Sequence, residues 1–188
     1  MSLEFHPLTT ARWADLEKLF GERGACGGCW CMWWKLKRSD FLKQRGEGNR
    51  RALKRIVDSG VVLGILAYAE GEPVGWCAVA PREAYPALER SRVLKRVDDK
   101  QVWSVVCFFV AKHFRGKGAT LKLLEAALKY VKEHGGKIVE GYPIEPKKGR
   151  ISNASAYTGL ASTFRKAGFA EVARRSENRP IMRCVISS

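Results

Sequence analysis

Residues 102–136 read VWSVVCFFVAKHFRGKGATLKLLEAALKYVKEHGG, and they contain the clearest structural pattern in the sequence. The nine residues from Val102 to Val110 carry no charge and are mostly β-branched or aromatic, which is typical of a strand buried on both faces. A basic loop with two glycines follows. Apolar residues then recur at steps of three and four, as on one face of an amphipathic helix, until Gly135-Gly136 ends the pattern. The stretch therefore predicts a strand, a glycine loop and a helix.

The glycine loop has the features of an anion site. The first turn of a helix offers unpaired N–H groups and about half a positive charge, which together attract anions. Gly116 and Gly118 leave the backbone open to close approach, and Arg115 and Lys117 add positive charge at the same place. The loop from Gly116 to Thr120 is therefore predicted to cradle a phosphate or diphosphate, with an ordinary tight turn as the alternative.

Two other phosphate-binding motifs compete with this interpretation. A nucleotide-triphosphate P-loop has four residues between its glycines and then Gly-Lys-Ser/Thr, and this loop has neither. A dinucleotide-binding loop has a third glycine where Leu121 stands, although Glu140 lies at a suitable distance along the chain to bind a ribose. A nucleotide-dependent oxidoreductase that uses Gly116, Gly118 and Glu140 therefore stays open as an alternative.

Two motifs resemble those of the GNAT-type N-acetyltransferases. The segment from Val110 to Thr120 resembles the acetyl-CoA motif Val-x-Pro-x-x-Arg-Gly-x-Gly-x-Gly/Ala, with Lys112 in place of the proline and Thr120 in place of the last small residue. The segment from Phe164 to Phe169 resembles the family's helix that ends in Lys-x-Gly-Phe before the sixth strand. A third string, Cys-Trp-Cys-Met-Trp-Trp, resembles one found in a bacterial GNAT subfamily of unassigned substrate.

The resemblance implies an α/β, single-domain GNAT-like fold over residues 1–188. This fold has a mixed, mostly antiparallel, twisted sheet of about seven strands flanked by about four to five helices. In this arrangement residues 102–136 form the acetyl-CoA-binding core, and residues 21–60 form the acceptor-site lid and a basic helix. Hydropathy patterns and turn residues predict the same element order. Strands are predicted at 3–8, 61–70, 73–80, 102–110, 137–142, 169–176 and 180–186, and helices at 11–20, 49–58, 81–92, 121–134 and 156–167.

Composition limits the partners and the compartment. The chain has no apolar run near the roughly 18 residues of a membrane span and no signal-peptide pattern, so a cytoplasmic protein with reduced cysteines and no membrane partner is expected. The net charge of +15 favours polyanions or an anionic ligand such as acetyl-CoA. The basic run from Lys35 to Arg55 is the candidate polyanion contact, and a nucleic-acid-binding module without catalysis is an alternative function. A homodimer is left open.

The cysteine–tryptophan segment from Cys26 to Trp34 permits several interpretations. Zinc commonly takes four ligands, whereas this segment has three close cysteines and no nearby histidine, so no metal is expected. A redox pair of Cys26 and Cys29, and simple core packing, are alternatives. The resemblance to GNAT proteins implies that the segment covers the acceptor site. Its tryptophans would then form apolar walls or a cation–π cage for an amine; they are Trp30, Trp33 and Trp34.

The resemblance implies transfer of an acetyl group from acetyl-CoA, the acyl donor, to a small-molecule or protein amine. A free alkyl amine has a pKa of about 10, so a base must take its proton and an acid must protonate the departing thiolate. Glu140 is the candidate base, with Glu145 just beyond it. Tyr157 is the candidate acid, because Phe164 stands where many relatives carry a tyrosine. The predicted donor-binding residues, which include a main-chain oxyanion donor in Phe109 or Val110, are Phe109, Val110, Arg115, Gly116, Lys117, Gly118, Ala119 and Thr120.

Overall fold

The strands of the computed structural model form one mixed sheet in the described part of the chain, residues 2–146 and 156–187. The seven strands are β1 (Glu4–Pro7), β2 (Gly64–Ala69), β3 (Glu72–Pro81), β4 (Trp103–Val110), β5 (Ile138–Gly141), β6 (Ala170–Arg174) and β7 (Pro180–Val185). Their order across the sheet is β1-β2-β3-β4-β5-β7-β6, and every neighbouring pair is antiparallel except β4 and β5. The predicted α/β fold with a mixed, mostly antiparallel sheet is confirmed.

The helices lie on both faces of this sheet. Within the two described ranges they are α1 (Trp13–Phe20), α2 (Arg38–Lys43), α3 (Glu47–Asp58), α4 (Pro86–Arg90), α5 (Ala119–Glu133) and α6 (Ala161–Lys166). The helix that the sequence does not predict is the short α2, which lies inside the basic run. None of the described helices has the length and apolar character needed to cross a membrane.

Two helix starts differ from the predictions. The helix predicted from Asn49 begins instead at Glu47, and Asn49 is buried inside it, where its Nδ2 donates a hydrogen bond to the Gly28 carbonyl at 3.0 Å. The helix predicted from residue 156 begins at Ala161, because the chain from residue 156 first forms a turn and Leu160 bridges to Ile144. Most of the loop predicted at 143–154 lies outside the described residues.

The core has two layers because the central strands carry apolar side chains on both faces. Alternate residues of a strand point to opposite faces. Trp76 accordingly packs with α1 and α3, whereas Cys77 and Val79 pack against Leu123 and Leu124 of α5. The absence of charge along β4, noted in the sequence, follows from this burial on both sides.

The sheet opens in the middle, and this opening positions the candidate site. β4 and β5 pair over only three residues, Trp103 to Val105 on the β4 side. A bulge at Val106 shifts the register of β4 against β3 immediately afterwards. Beyond the bulge, the side of β4 that faces β5 has no paired strand among the described residues. Instead, the Phe108 N–H donates a hydrogen bond to the carbonyl of Tyr157 at 2.6 Å.

Candidate active site

A cavity of about 890 Å3 opens beside the second half of β4. Four parts of the chain line it: the cysteine–tryptophan segment with Ala25 just before it, Phe41 of α2, the end of β4 with the glycine loop and the start of α5, and residues 156–166. The structure therefore brings the predicted donor loop and two of the three predicted acceptor tryptophans to one cavity.

The glycine loop leaves the start of α5 open to the cavity. Gly116 and Gly118 have φ angles of +75° and +79°, which L side chains rarely adopt. Gly118 precedes the first residue of α5, and no side chain caps the helix there. A Cβ atom added at either glycine would meet no atom within 4 Å in the described part of the protein. The N–H groups of the first turn, near Ala119 and Thr120, are thus suited to an anionic ligand such as a diphosphate.

The basic residues of the loop have different positions. Arg115 lines the cavity, and its Nε donates a hydrogen bond to the Val110 carbonyl at 2.8 Å, which ties the loop to the end of β4. Lys117 is exposed and is not part of the lining; its ammonium lies 5.7 Å from the centre of the Phe114 ring. Of these two cations, Arg115 is therefore the one placed to hold the loop in shape.

The backbone of β4 distinguishes the two predicted oxyanion donors. The Ala111 N–H bonds to Val74, just before the paired part of β3, whereas the Phe108 N–H points the other way, to Tyr157. N–H groups alternate in direction along a strand. The alternation places the Val110 N–H on the open side and the Phe109 N–H on the β3 side. The geometry favours Val110 as the main-chain donor.

The three tryptophans do not share one environment. Trp33 and Trp34 line the cavity, where Trp34 stacks on Tyr157 with ring centres 6.5 Å apart. Trp30 lies outside this lining and is packed against Trp13 and Phe20, with ring centres 6.1 Å and 5.5 Å away. The aromatic wall of the cavity is therefore formed by Trp33, Trp34, Phe41, Phe108, Phe109, Phe114 and Tyr157.

Two polar groups belong to this wall. The indole N–H of Trp34 is buried and has no hydrogen-bond partner among the described residues. A buried donor without a partner is costly, so this N–H is suited to an acceptor atom supplied by a ligand. Burial also raises the pKa of Tyr157 to about 12, so its hydroxyl keeps its proton at neutral pH.

The predicted base, Glu140, lies outside the cavity lining and is 1% exposed. Its carboxylate accepts hydrogen bonds from Arg82 Nη1 at 2.9 Å, the Tyr142 hydroxyl at 2.7 Å and Arg183 Nε at 2.7 Å. The second acid, Glu145, pairs with two arginines, and hydrogen bonding from Arg165 lowers its pKa. Both carboxylates are thus held in ion pairs.

The basic run from Lys35 to Arg55 is partly neutralised. Arg50 pairs with Glu17 and Glu47, and Lys54 pairs with Asp58 at 2.6 Å. Lys35 turns inward, where its Nζ donates a hydrogen bond to the Ala84 carbonyl at 3.1 Å, and burial lowers its pKa to about 8.

Four cysteines share the cavity: Cys26, Cys29, Cys31 and Cys107. The sequence singles out the first three as a segment, but nothing in it predicts that Cys107 of β4 faces the same space. The Trp76 indole donates a hydrogen bond to Cys31 Sγ at 3.0 Å. No group of three or more His, Cys, Asp or Glu side chains in residues 2–146 and 156–187 could hold a metal ion.

Comparisons with known proteins agree with this geometry. The family model described as "Acetyltransferase (GNAT) family" matches residues 30–142, more than half of the chain. No curated protein sequence is significantly similar to the chain.

Solved structures share the fold at low sequence identity. The PaiA N-acetyltransferase of Thermoplasma acidophilum, solved with coenzyme A, has a TM-score of 0.55 and 15% identity over 99% of this chain and 100% of that one. A GNAT-family acetyltransferase of Listeria monocytogenes has a TM-score of 0.60 and 11% identity over 98% and 95%. The ribosomal-protein-alanine N-acetyltransferase of Brucella melitensis has a TM-score of 0.54 and 15% identity over 97% and 99%.

Proposed function

This chain belongs to the GNAT family of acetyltransferases, and we propose that it transfers the acetyl group of acetyl-CoA to an amine. One observation carries the proposal: the uncapped start of α5 opens into a cavity that runs along the unpaired side of β4. The loop from Gly116 to Thr120 would hold the diphosphate of the donor. The pantetheine arm would lie along β4, which places the thioester near Cys107 to Val110.

The lining of the cavity favours a particular class of acceptor. The residues around Trp33 and Trp34 are aromatic or weakly polar, and no aspartate or glutamate occurs among the described lining residues. A second positive charge on the acceptor would therefore have no local partner, and the protein's net charge of +15 would repel it. We propose an amine with an apolar or aromatic body and a single positive charge, rather than a polyamine or an aminoglycoside.

The reaction needs an oxyanion donor, an acid and a base around the thioester. The neutral amine attacks the carbonyl, and the Val110 N–H would stabilise the oxyanion that forms. Tyr157 keeps its proton at neutral pH and lines the cavity, so we assign it as the acid that protonates the departing thiolate. Glu140 is not assigned as the base, because three buried partners already hold its carboxylate.

A combined binding and turnover experiment tests the function. Titration calorimetry should show saturable binding of acetyl-CoA at one site. A thiol-release assay over an amine panel should then give a kcat/KM for arylalkyl amines at least about tenfold above that for spermidine, since tenfold corresponds to only about 1.4 kcal/mol. An absence of binding at millimolar acetyl-CoA would contradict the donor assignment, and a preference for spermidine would contradict the acceptor class.

Replacing Trp34 with phenylalanine tests the acceptor wall. The variant keeps an aromatic ring and loses the unpartnered N–H. We expect the KM for the acceptor to rise about 2- to 12-fold, because a net hydrogen bond contributes about 0.5–1.5 kcal/mol, while the Kd for acetyl-CoA stays unchanged. Trp30→Phe is the matched control, since Trp30 lies outside the lining, and it should leave the acceptor KM unchanged. Equal KM values for Trp34→Phe and the wild type would show that the Trp34 N–H does not bind the acceptor.

A further inference from the structure

The positive charge of the basic run is distributed unevenly. Arg50 and Lys54 of α3 pair with carboxylates. By contrast, the cations of α2 and its flanks are exposed and pair with no carboxylate among residues 2–146 and 156–187; they are Lys37, Arg38, Lys43 and Arg45. Asp40 is the single acid between Lys35 and Gly46. We call these four cations the basic rim, and their surplus of positive charge is available to a partner.

The basic rim borders the proposed acceptor side of the cavity. Phe41 is the buried residue of α2 and lines the cavity, and Arg38 lies on the same helix face, three residues earlier. Arg45 donates a hydrogen bond from its Nε to the Gly27 carbonyl at 3.0 Å, which attaches it to the cysteine–tryptophan segment that forms the cavity wall. A chain that enters the cavity from this side would therefore pass the rim cations.

Exposed apolar side chains accompany the basic rim. Trp33 lines the cavity and is 38% exposed, and its ring contacts that of Phe41 edge to face, with ring centres 5.1 Å apart. Leu42 of α2 is 48% exposed. Tryptophan and arginine are enriched where proteins bind one another, and a positive surface favours a negative partner. The combination fits a polypeptide segment that carries both apolar side chains and carboxylates.

The lining of the cavity restricts the amine itself. None of the described lining residues carries a carboxylate or an imidazole that could take a proton from the acceptor. At pH 7 about 0.1% of an alkyl amine with a pKa of about 10 is neutral, whereas roughly 10% of an α-amine with a pKa of about 8 is neutral. The α-amine of a polypeptide therefore reaches its reactive form without help from a protein base.

The unpartnered indole N–H of Trp34 indicates the same class of acceptor. It is buried in the cavity wall and is suited to an acceptor atom of a ligand. In a polypeptide the first carbonyl group is joined to the carbon that bears the α-nitrogen, so an oxygen accompanies the reacting amine at a short distance. A simple alkyl amine has no such oxygen. The first side chain of the polypeptide would then contact the aromatic wall at Trp33 and Phe41.

We propose that the acceptor is the N-terminal α-amine of an acidic polypeptide, whose first side chain is apolar and whose following carboxylates bind the basic rim. The inference deepens the proposed function and rests on it, since it requires acetyl-CoA in the same cavity. The α-nitrogen forms a bond to the acetyl carbonyl carbon, and the bond from that carbon to the CoA sulfur breaks. The sulfur leaves with the electron pair and takes the proton of Tyr157, and the nitrogen returns one proton to the Tyr157 oxygen.

Matched synthetic peptides test the proposal. Each is short, has a free N-terminus and begins with leucine, and the residues that follow are acidic, neutral or basic. In the thiol-release assay we expect kcat/KM for the acidic peptide to exceed that for the neutral one at least about tenfold and that for the basic one at least about 100-fold, with a preference that falls as salt is added. Mass spectrometry should place the acetyl group on the α-nitrogen. A copy with a blocked N-terminus and an internal lysine should give no product.

Charge reversal on the basic rim separates its role from that of the net charge. Arg38→Glu combined with Lys43→Glu should raise the KM for the acidic peptide at least about tenfold, and should leave the Kd for acetyl-CoA and the kinetic constants for an arylalkyl amine unchanged. Lys129→Glu combined with Lys132→Glu is the matched control, because it changes the net charge equally on α5, which packs on the other face of the sheet. This control should change the KM for the acidic peptide no more than about twofold.

The contrary outcomes are distinct. Turnover of arylalkyl amines without acetylation of any peptide α-amine, or equal kcat/KM values for the acidic, neutral and basic peptides, would overturn the inference and leave the proposed function standing. Equal effects of the rim variant and the α5 variant would likewise overturn it. An RNA oligonucleotide that binds the wild type more tightly than the acidic peptide does, and loses affinity in the rim variant, would assign the basic rim to nucleic acid instead. No binding of acetyl-CoA by the wild type would remove the proposed function itself.

Discussion

Replacing Glu140 with alanine is expected to lower the free energy of unfolding by about 3–5 kcal/mol, the usual cost of removing one partner from a buried ion pair. Glu140 is 1% exposed and accepts hydrogen bonds from Arg82, Arg183 and Tyr142. Arg82 is itself 2% exposed, and its guanidinium would keep its charge inside the protein with one partner fewer. The measurement is urea unfolding of the wild type and the variant, compared at unchanged m-value.

Glu89→Ala is the matched control for this change. Glu89 also pairs with Arg82, at 2.7 Å, but its side chain is 45% exposed, so its loss should cost no more than about 1 kcal/mol. Equal losses of stability in the two variants would show that the buried network is not what Glu140 supports. A Glu140→Gln variant with wild-type stability but no acetyl transfer would instead return Glu140 to the list of catalytic candidates.

Gly118→Glu should weaken donor binding strongly, with a Kd for acetyl-CoA at least about 100-fold higher. The new Cβ would point into open space at the start of α5, where the diphosphate is proposed to lie. Two like charges about 4 Å apart repel by roughly 4 kcal/mol at an effective dielectric of about 20, and about 2.7 kcal/mol already corresponds to a factor of 100. The positive φ of +79° adds backbone strain for any side chain.

The opposite end of α5 provides the control. Gly135 has a φ of +75°, is exposed and likewise has no atom within 4 Å of an added Cβ, so Gly135→Glu introduces the same strain and the same charge far from the loop. It should bind acetyl-CoA as the wild type does. Gly118→Ala separates strain from charge and should weaken binding far less than Gly118→Glu. Calorimetry showing equal affinities for Gly118→Glu and Gly135→Glu would place the diphosphate elsewhere.

The strand, loop and helix of the central stretch could be predicted because each depends on local pattern. An uncharged apolar run of nine residues is stable only when it is buried, which predicts the strand. Glycines permit the positive φ angles of the loop. Apolar residues at steps of three and four form one helix face that packs on an apolar surface. β4 and α5 accordingly begin and end within a few residues of the predicted limits. The other walls of the cavity come from distant segments of the chain, which these local patterns do not determine.

The side-chain roles could not be predicted in the same way because they depend on contacts between distant parts of the chain. Arg82 precedes Glu140 by 58 residues, and Arg183 follows it by 43, so the ion pairs that occupy Glu140 leave no local pattern. The prediction that all three tryptophans face the acceptor is limited for another reason. Positive φ angles at Trp30 and Cys31 break the regular alternation of side-chain directions, so sequence spacing cannot tell that Trp30 turns into the core while Trp33 and Trp34 face the cavity.

The short parallel ladder between β4 and β5 has a mechanical consequence. Among the described residues, only three register pairs link the half-sheet β1–β4 to the half-sheet β5–β7–β6. A pantetheine arm that lies between β4 and β5, beyond their three pairs, would contact both half-sheets and link them. Because a ligand that binds only the folded state stabilises it, the bound donor would stabilise the contact between the two half-sheets as well as supply its acetyl group.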